Sequence, residues 1–490
     1  MIKHIVNGES VLAESGGPFK VCNPATGEVV TTFAPASPPI IEAALAGATL
    51  AFPSWSGLTG KTRGQYFYKF RSLCLEKYRD ELVELIVLEN GKHVLDATAS
   101  LLKGIETVEY AITCSMTVCG STQQVSNGVT CQDRRDPLGI VLCVCPFNFP
   151  AMVPMWTIPI LLVLGNCVIV KPSEKVPRTV VRMCEIWLEA GVPKGVCSVV
   201  HGGSTVVNAL IEDTRIKGVT FVGSTPIAKL VYEKSILHGK RAICLGGAKN
   251  HLVLLPDADP DLASTDILNS FAGSAGQRCM AASVLVLVGP NCAHILDLLV
   301  EKARKIKPGQ TGPGEIGPLI DHAAIQRVCH YVDQSLAAYG AHCLVDGRGW
   351  AQNSGFWFGP TILVHENLSD PALTNEIFGP VLSVVTVDSL DEAIERVNSS
   401  LYGNAACVYT QSGSVAESFT RRANAGMIGV NVGVPVPREP FSFGGTKESK
   451  FGISDITGDG LVEFGTVRRK ITTKWGNAAS FDFVAKHFTG

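Results

Sequence analysis

Residues 139–150 read Gly-Ile-Val-Leu-Cys-Val-Cys-Pro-Phe-Asn-Phe-Pro. The unbroken apolar run from Ile140 to Val144 suits a strand buried on both faces, and the prolines after it force a rigid turn. Downstream the pattern alternates. A helical stretch over 152–164 leads to a second apolar run, Cys167 to Val170. A helix over 178–190, closed by Gly191 and Pro193, leads to a third run at 196–200, and a fourth occupies 218–222. Short strands alternating with longer helices are β-α-β units, so the expected fold class is α/β, with a doubly wound parallel sheet. In such sheets ligands bind beyond the carboxyl ends of the strands, which singles out the segments just after Val144, Val170 and Val222.

The same stretch, 138–170, is long and uncharged enough to raise the question of a membrane span. Pro146, Pro150, Pro154 and Pro159, with Gly165 and Asn166, interrupt it, and no run of roughly 20 apolar residues survives. No membrane association is expected. Residues 1–8 contain no apolar core segment, so no secretory signal is expected on this chain. The expected location is the cytoplasm, or the mitochondrial matrix after removal of a presequence if the source is eukaryotic.

With 490 residues the chain exceeds what one core holds, and two packed domains plus an extra element are expected. Hydrophobic residues at 46% and charged residues at 18% describe a globular chain. A net charge of -2 offers no basic surplus to neutralise phosphates, which excludes a nucleic-acid partner and favours small-molecule chemistry. The 16 cysteines are scattered without a Cys-x-x-Cys pair, so neither a metal site nor a disulfide framework is expected. Most read as small core residues in a reducing compartment.

A second block begins near His251, where an apolar run leads into a helical stretch and then Gly276-Gln277-Arg278-Cys279. The segment 465–475 alternates basic and β-branched residues and suits an edge strand that pairs elsewhere. Cys279, beside Arg278 and after the small residues Gly273 to Gly276, is a candidate nucleophile. Positive charge and backbone amides would lower its pKa, and burial would raise it. Asn148, framed by Pro146 and Pro150, could present its amide to a developing oxyanion, or simply cap a turn. Lys171 and Glu174, at the mouth of the sheet, could bind the hydroxyls of an adenine ribose; a carboxylate there favours NAD, because it would repel a 2′-phosphate. Ser224 stands at a helix start, where a pyrophosphate could meet helix amides or a hydroxyl could cap the helix. Glu376, in Glu376-Ile377-Phe378-Gly379-Pro380, is an acid beside a turn.

In their order and spacing these segments resemble the aldehyde dehydrogenase superfamily, from Asn23-Pro24-Ala25-Thr26-Gly27-Glu28 to Lys474-Trp475. The resemblance implies an NAD-binding domain over 1–114 and 136–250, a catalytic domain over 251–464, and an oligomerisation arm from 115–135 and 465–490, making a homo-oligomer, dimer or tetramer. It implies that Cys279 attacks the aldehyde and that Asn148, with the Cys279 amide, holds the oxyanion. Lys171 and Glu174 would hold the adenosine ribose, Cys145 and Phe147 would line the cofactor cleft, and Glu376 would bind the nicotinamide ribose. Lys175, Ser224 and Gly246 match further cofactor contacts.

One departure bears on the reaction. Hydrolytic members place a glutamate four residues before Lys249, where this chain has Leu245, and no carboxylate occurs over 242–256 to replace it. A thiol acceptor needs less activation than water. The chain is similar to the CoA-acylating methylmalonate-semialdehyde dehydrogenases in lacking this base and in sharing Gly247-Ala248-Lys249-Asn250-His251. That similarity implies CoA as co-substrate and a semialdehyde whose carboxylate Arg278 would bind with its guanidinium fork. Lys103, preceding Gly104-Ile105-Glu106-Thr107-Val108-Glu109, stands where that subgroup usually has arginine and is the second expected substrate-binding cation; Ala228 replaces a usual glycine. The alternatives are a hydrolytic semialdehyde dehydrogenase and a non-catalytic binding or structural protein on the same fold.

Overall fold

The computed structural model describes residues 1–13 and 17–475; the part of the expected arm at 476–490 lies outside the described residues. Strands Ile140–Val144, Cys167–Lys171 and Cys197–Val199 run parallel in that spatial order, and Ile216–Val222 and Arg241–Leu245 extend the sheet from the other side of Ile140–Val144. The chain therefore reverses its winding between Ile140–Val144 and Ile216–Val222, and the turns after Val144 and Val222 flank the crevice that such a reversal opens. Every residue of Ile140–Val144 is buried, because helices cover both faces. The helix Met152–Val163 is buried along its whole length, between the sheet and the helix Val94–Thr117. Its apolarity thus belongs to a core, and among the described residues no helix is long and apolar enough to cross a membrane.

A second sheet repeats the plan. An inner strand, Asn250–Leu254, lies between Ala282–Val288 and Ala405–Tyr409 in parallel, with Val381–Val387, Thr361–Val364 and Met427–Val430 further out. Only the edge strand His342–Val345 is antiparallel. Thr466–Lys474, Val129–Pro137 and Ser121–Ser126 form a separate antiparallel ribbon, in which Thr466–Lys474 is an edge strand paired along its whole length.

Three expected boundaries shift. The helix Val94–Thr117 runs through position 115, so the ribbon starts later, and its middle strand ends at Pro137, beyond 135. Strand Lys450–Phe451 pairs with Arg241–Leu245, and helix Gly458–Phe464 packs on Met152–Val163, so the chain re-enters the first domain before 464. A sequence-local reading assigns each segment to its neighbours in the chain, and only the packed sheet shows such a return.

Asn166 ties these parts together. Its Oδ1 accepts the Gly139 N–H at 2.9 Å, and its Nδ2 donates to the carbonyls of Leu161 and Gly465, each at 3.0 Å. The side chain is fully buried, so no solvent replaces these bonds. Asn166→Ala should therefore lower stability by about 3 kcal/mol, seen as a fall in the urea unfolding midpoint.

Candidate active site

The turn after Val144 and the start of helix Thr225–Leu237 enclose a cleft of about 540 Å³. All eight expected cofactor residues line it: Cys145, Phe147, Lys171, Glu174, Lys175, Ser224, Gly246 and Glu376. Lys171 is buried and its amine meets Glu174 Oε1 at 2.6 Å, so one pair of charges lines the cleft together. Ser224 occupies the N-cap position with extended backbone, and its hydroxyl makes no cap bond. The hydroxyl and the amides of Thr225 and Ile227 are thus free for a pyrophosphate, Pro226 between them having no N–H, and the donor set fits a dinucleotide.

The thiol enters from the second sheet, whose amino-terminal edge faces the carboxyl edge of the first. Cys279 precedes strand Ala282–Val288, Glu376 precedes Val381–Val387, and Asn404 precedes Ala405–Tyr409. Asn250 and Asn404 each donate from Nδ2 to the Cys279 carbonyl at 2.8 Å. Asn250 also donates to the Ala281 carbonyl and accepts the Ala405 N–H, so one amide side chain joins three strand starts. Holding the Cys279 carbonyl orients the Met280 N–H on the same peptide toward the thiol. Upstream, Ser274 and Ala275 both have left-handed backbone, with φ of 51° and 52°, followed by Gly276 at 67°. A Cβ on Gly276 would collide with the Gly379 carbonyl, so the glycine lets the thiol loop and the Glu376 turn pack together.

Asn148 is buried in the same cleft, with Nδ2 donating to the Gln277 carbonyl at 3.0 Å. That bond uses one amide proton and leaves the second for an oxyanion. Burial pushes the Cys279 thiol up to about 12, the Glu376 carboxylate adds to the shift, and the Cys279 and Met280 amides only partly oppose it. The activating effect expected of Arg278 is absent because its charge is spent elsewhere. Its Nη2 pairs with Asp96 Oδ1 at 2.8 Å, and its remaining nitrogens donate to Ser274 and the Asn269 carbonyl. Burial raises Asp96, but Arg278 and Lys92 outweigh it and hold the carboxyl below its ordinary range.

Glu376 lies at the bottom of the cleft, where Oε1 accepts the Ala248 N–H at 2.9 Å. Burial pushes its carboxyl up to about 7, against the Ala248 amide and the charges of Lys249 and Arg327. Lys249 is buried, and its amine has no hydrogen-bond partner among the described residues. Leu245, at the position of the missing base, ends a strand and is buried.

On the other side of Cys279 a second cavity, of about 310 Å³, is lined by Phe149, Trp156, Met280 and Phe443, and by Asp96, Lys103, Arg278 and Arg438. Lys103 and Arg278, the two expected substrate-binding cations, both line this cavity, and each is already paired with a carboxylate. Lys103 donates to Glu439 at 3.0 Å and to Glu106 at 3.1 Å. Asn404, Asp96, Arg438 and Glu439 were not anticipated. Nothing local marks them, although Asn250 sits inside a motif and its amide beside a strand start was a readable signal.

A model of the aldehyde dehydrogenase family matches residues 11–469. A malonate-semialdehyde dehydrogenase from Pseudomonas aeruginosa is 40% identical over 488 residues, covering 98% of each chain. Another from Oceanobacillus iheyensis is 40% identical over 97% of this chain and 98% of its own. The crystal structure of a methylmalonate-semialdehyde dehydrogenase from Oceanimonas doudoroffii superposes with a TM-score of 0.95 at 38% identity, covering 98% of this chain and 99% of that one. A Sinorhizobium meliloti protein assigned the same name and solved with NAD gives 0.94 at 36% identity, with coverage of 98% and 99%. Agreement in sequence and fold over nearly the whole length shows that the chain belongs to the aldehyde dehydrogenase family.

Proposed function

We propose that this aldehyde dehydrogenase oxidises malonate or methylmalonate semialdehyde with NAD and passes the acyl group to CoA, giving acetyl-CoA or propionyl-CoA, carbon dioxide and NADH. The observation that carries the reading is the placement of Cys279, which alone among the described residues lines both the cofactor cleft and the second cavity. A thiol there meets an aldehyde from one side and a hydride acceptor from the other. The relatives named above supply the substrate class, and the NAD-bound relative supports the cofactor.

Attack by the Cys279 sulfur on the aldehyde carbon forms a C–S bond and places negative charge on oxygen, within the reading that Asn148 and the Cys279 amide receive it. NAD, when bound, supplies a hydride acceptor. The residue left on Cys279 is a malonyl or methylmalonyl thioester; the bond from its free carboxylate to the α-carbon breaks, carbon dioxide leaves, the α-carbon takes up a proton, and an acetyl or propionyl thioester remains. Leu245 offers no base to activate water, so a CoA thiolate is the competent acceptor. Lys171, Glu174, Lys175 and Ser224 would hold the adenosine and pyrophosphate, Cys145, Phe147 and Gly246 would shape the cleft, and Glu376 would bind the nicotinamide ribose. The exposed strand Ser121–Ser126 and the edge strand Thr466–Lys474 support assembly into a homo-oligomer through the ribbon. Bacterial relatives support a cytoplasmic location.

The hydrolytic alternative has one observation in its favour: Glu376 is a carboxyl poised near 7 close to Cys279. Its Oε1 is held by the Ala248 amide, which leaves Oε2 open, so product analysis has to decide between the two. Methylmalonate semialdehyde should give NADH about tenfold or more faster with CoA present, with acyl-CoA as product; equal rates and a free acid would sink the acylating reading. Cys279→Ala should abolish NADH formation under either. In the ligand-free protein, Glu376→Gln removes the negative charge that raises the thiol, so the Cys279 pKa falls and iodoacetamide alkylation at pH 9 should be faster than in the wild type.

A further inference from the structure

The second cavity carries three cationic side chains, Lys103, Arg278 and Arg438, and two of them are already neutralised. Arg278 pairs with Asp96. Lys103 pairs with Glu439, whose side chain is only 8% exposed and whose other oxygen accepts the Thr107 hydroxyl at 3.2 Å. Arg438 has no ion pair and no side-chain hydrogen bond among the described residues, although it lines the same space. The segment that carries it is irregular, with the Val436 N–H turned back on the Val434 carbonyl at 2.8 Å, and Val434, Val436 and Arg438 all line the cavity.

We infer that Arg438 reads the carboxylate of an anionic aldehyde in this cavity, with Lys103 held out of that role by Glu439. The inference rests on the semialdehyde reading above and deepens it. Drawing Lys103 onto a substrate would leave the nearly buried Glu439 carboxylate without its counter-charge, and drawing Arg278 away would take from Asp96 the stronger of its two counter-charges, leaving Lys92. Each transfer exchanges one ion pair for another and weakens the hold on a desolvated charge. Arg438 breaks nothing when it engages a carboxylate, and its planar fork presents paired N–H groups to both oxygens. Substrate selection would thus have passed from the cation on the helix Val94–Thr117 to one on the opposite wall.

The test compares kcat/KM for malonate semialdehyde with that for propanal, its uncharged analogue, at saturating NAD and CoA. Arg438 is exposed, so its substitution leaves the core intact. Arg438→Met should lower the semialdehyde-to-propanal ratio about tenfold, with propanal turnover changed less than about twofold; Arg438→Lys should restore part of the ratio, and Lys103→Met should lower it less than Arg438→Met does. The proposal is overturned if the wild type shows no preference for the anion, if Arg438→Met affects both aldehydes equally or neither, or if Lys103→Met has the larger effect. CoA dependence of the wild type, measured in the same assays with either aldehyde, judges the acylating reading separately.

Discussion

Two amide side chains, Asn250 and Asn404, grip one carbonyl oxygen, that of Cys279, and much of the architecture serves to bring them there. They come from two strand starts of the second sheet and meet the segment leading into a third. A single side-chain bond to a neutral acceptor stabilises modestly. Two converging on one oxygen define the peptide plane, and with it the direction of the Met280 N–H beside the sulfur. The left-handed Ser274 and Ala275 are conformations that surrounding structure must enforce; Asp96, which accepts the Ser274 N–H at 2.9 Å, and the close Gly276–Gly379 approach hold the loop that leads to the thiol.

The two sheets have opposite tasks. The first offers its carboxyl edge, where strand ends and a helix N-terminus present amides to a charged cofactor. The second offers its amino edge, which places the thiol, the Glu376 turn and the two asparagines across from it. Neither edge forms a complete site alone. The meeting of the two cavities at Cys279 follows from setting these edges face to face, and it makes the sulfur the point through which the two halves communicate.

The sequence was most legible where chemistry is local. The apolar run Ile140–Val144, its proline stop and the alternation that follows specify the first sheet, because strand and helix periods are properties of neighbouring residues. That the expected cofactor residues would line one cleft was legible through strand ends. The electrostatics were not. Arg278 reads in sequence as a free cation beside a thiol, yet its charge is cancelled by Asp96, 182 positions away, and Lys103 is cancelled by Glu439, 336 positions away. The domain boundary near 464 failed for the same reason, since Lys450–Phe451 joins a sheet whose other strands all precede Pro256, far earlier in the chain. Asn404 is a plain asparagine before a strand until the fold brings it to the Cys279 carbonyl.

The raised thiol has a consequence for the protein's life in a cell. Oxidants such as peroxide attack thiolates, and damage at a cysteine follows its thiolate fraction and its exposure. A thiol kept protonated by burial and by the nearby Glu376 carboxylate is a poor target for them. The desolvation that slows its ionisation therefore also shields it from sulfenic and sulfinic acid formation. That protection distinguishes Cys279 from Cys119, which stands exposed at the surface.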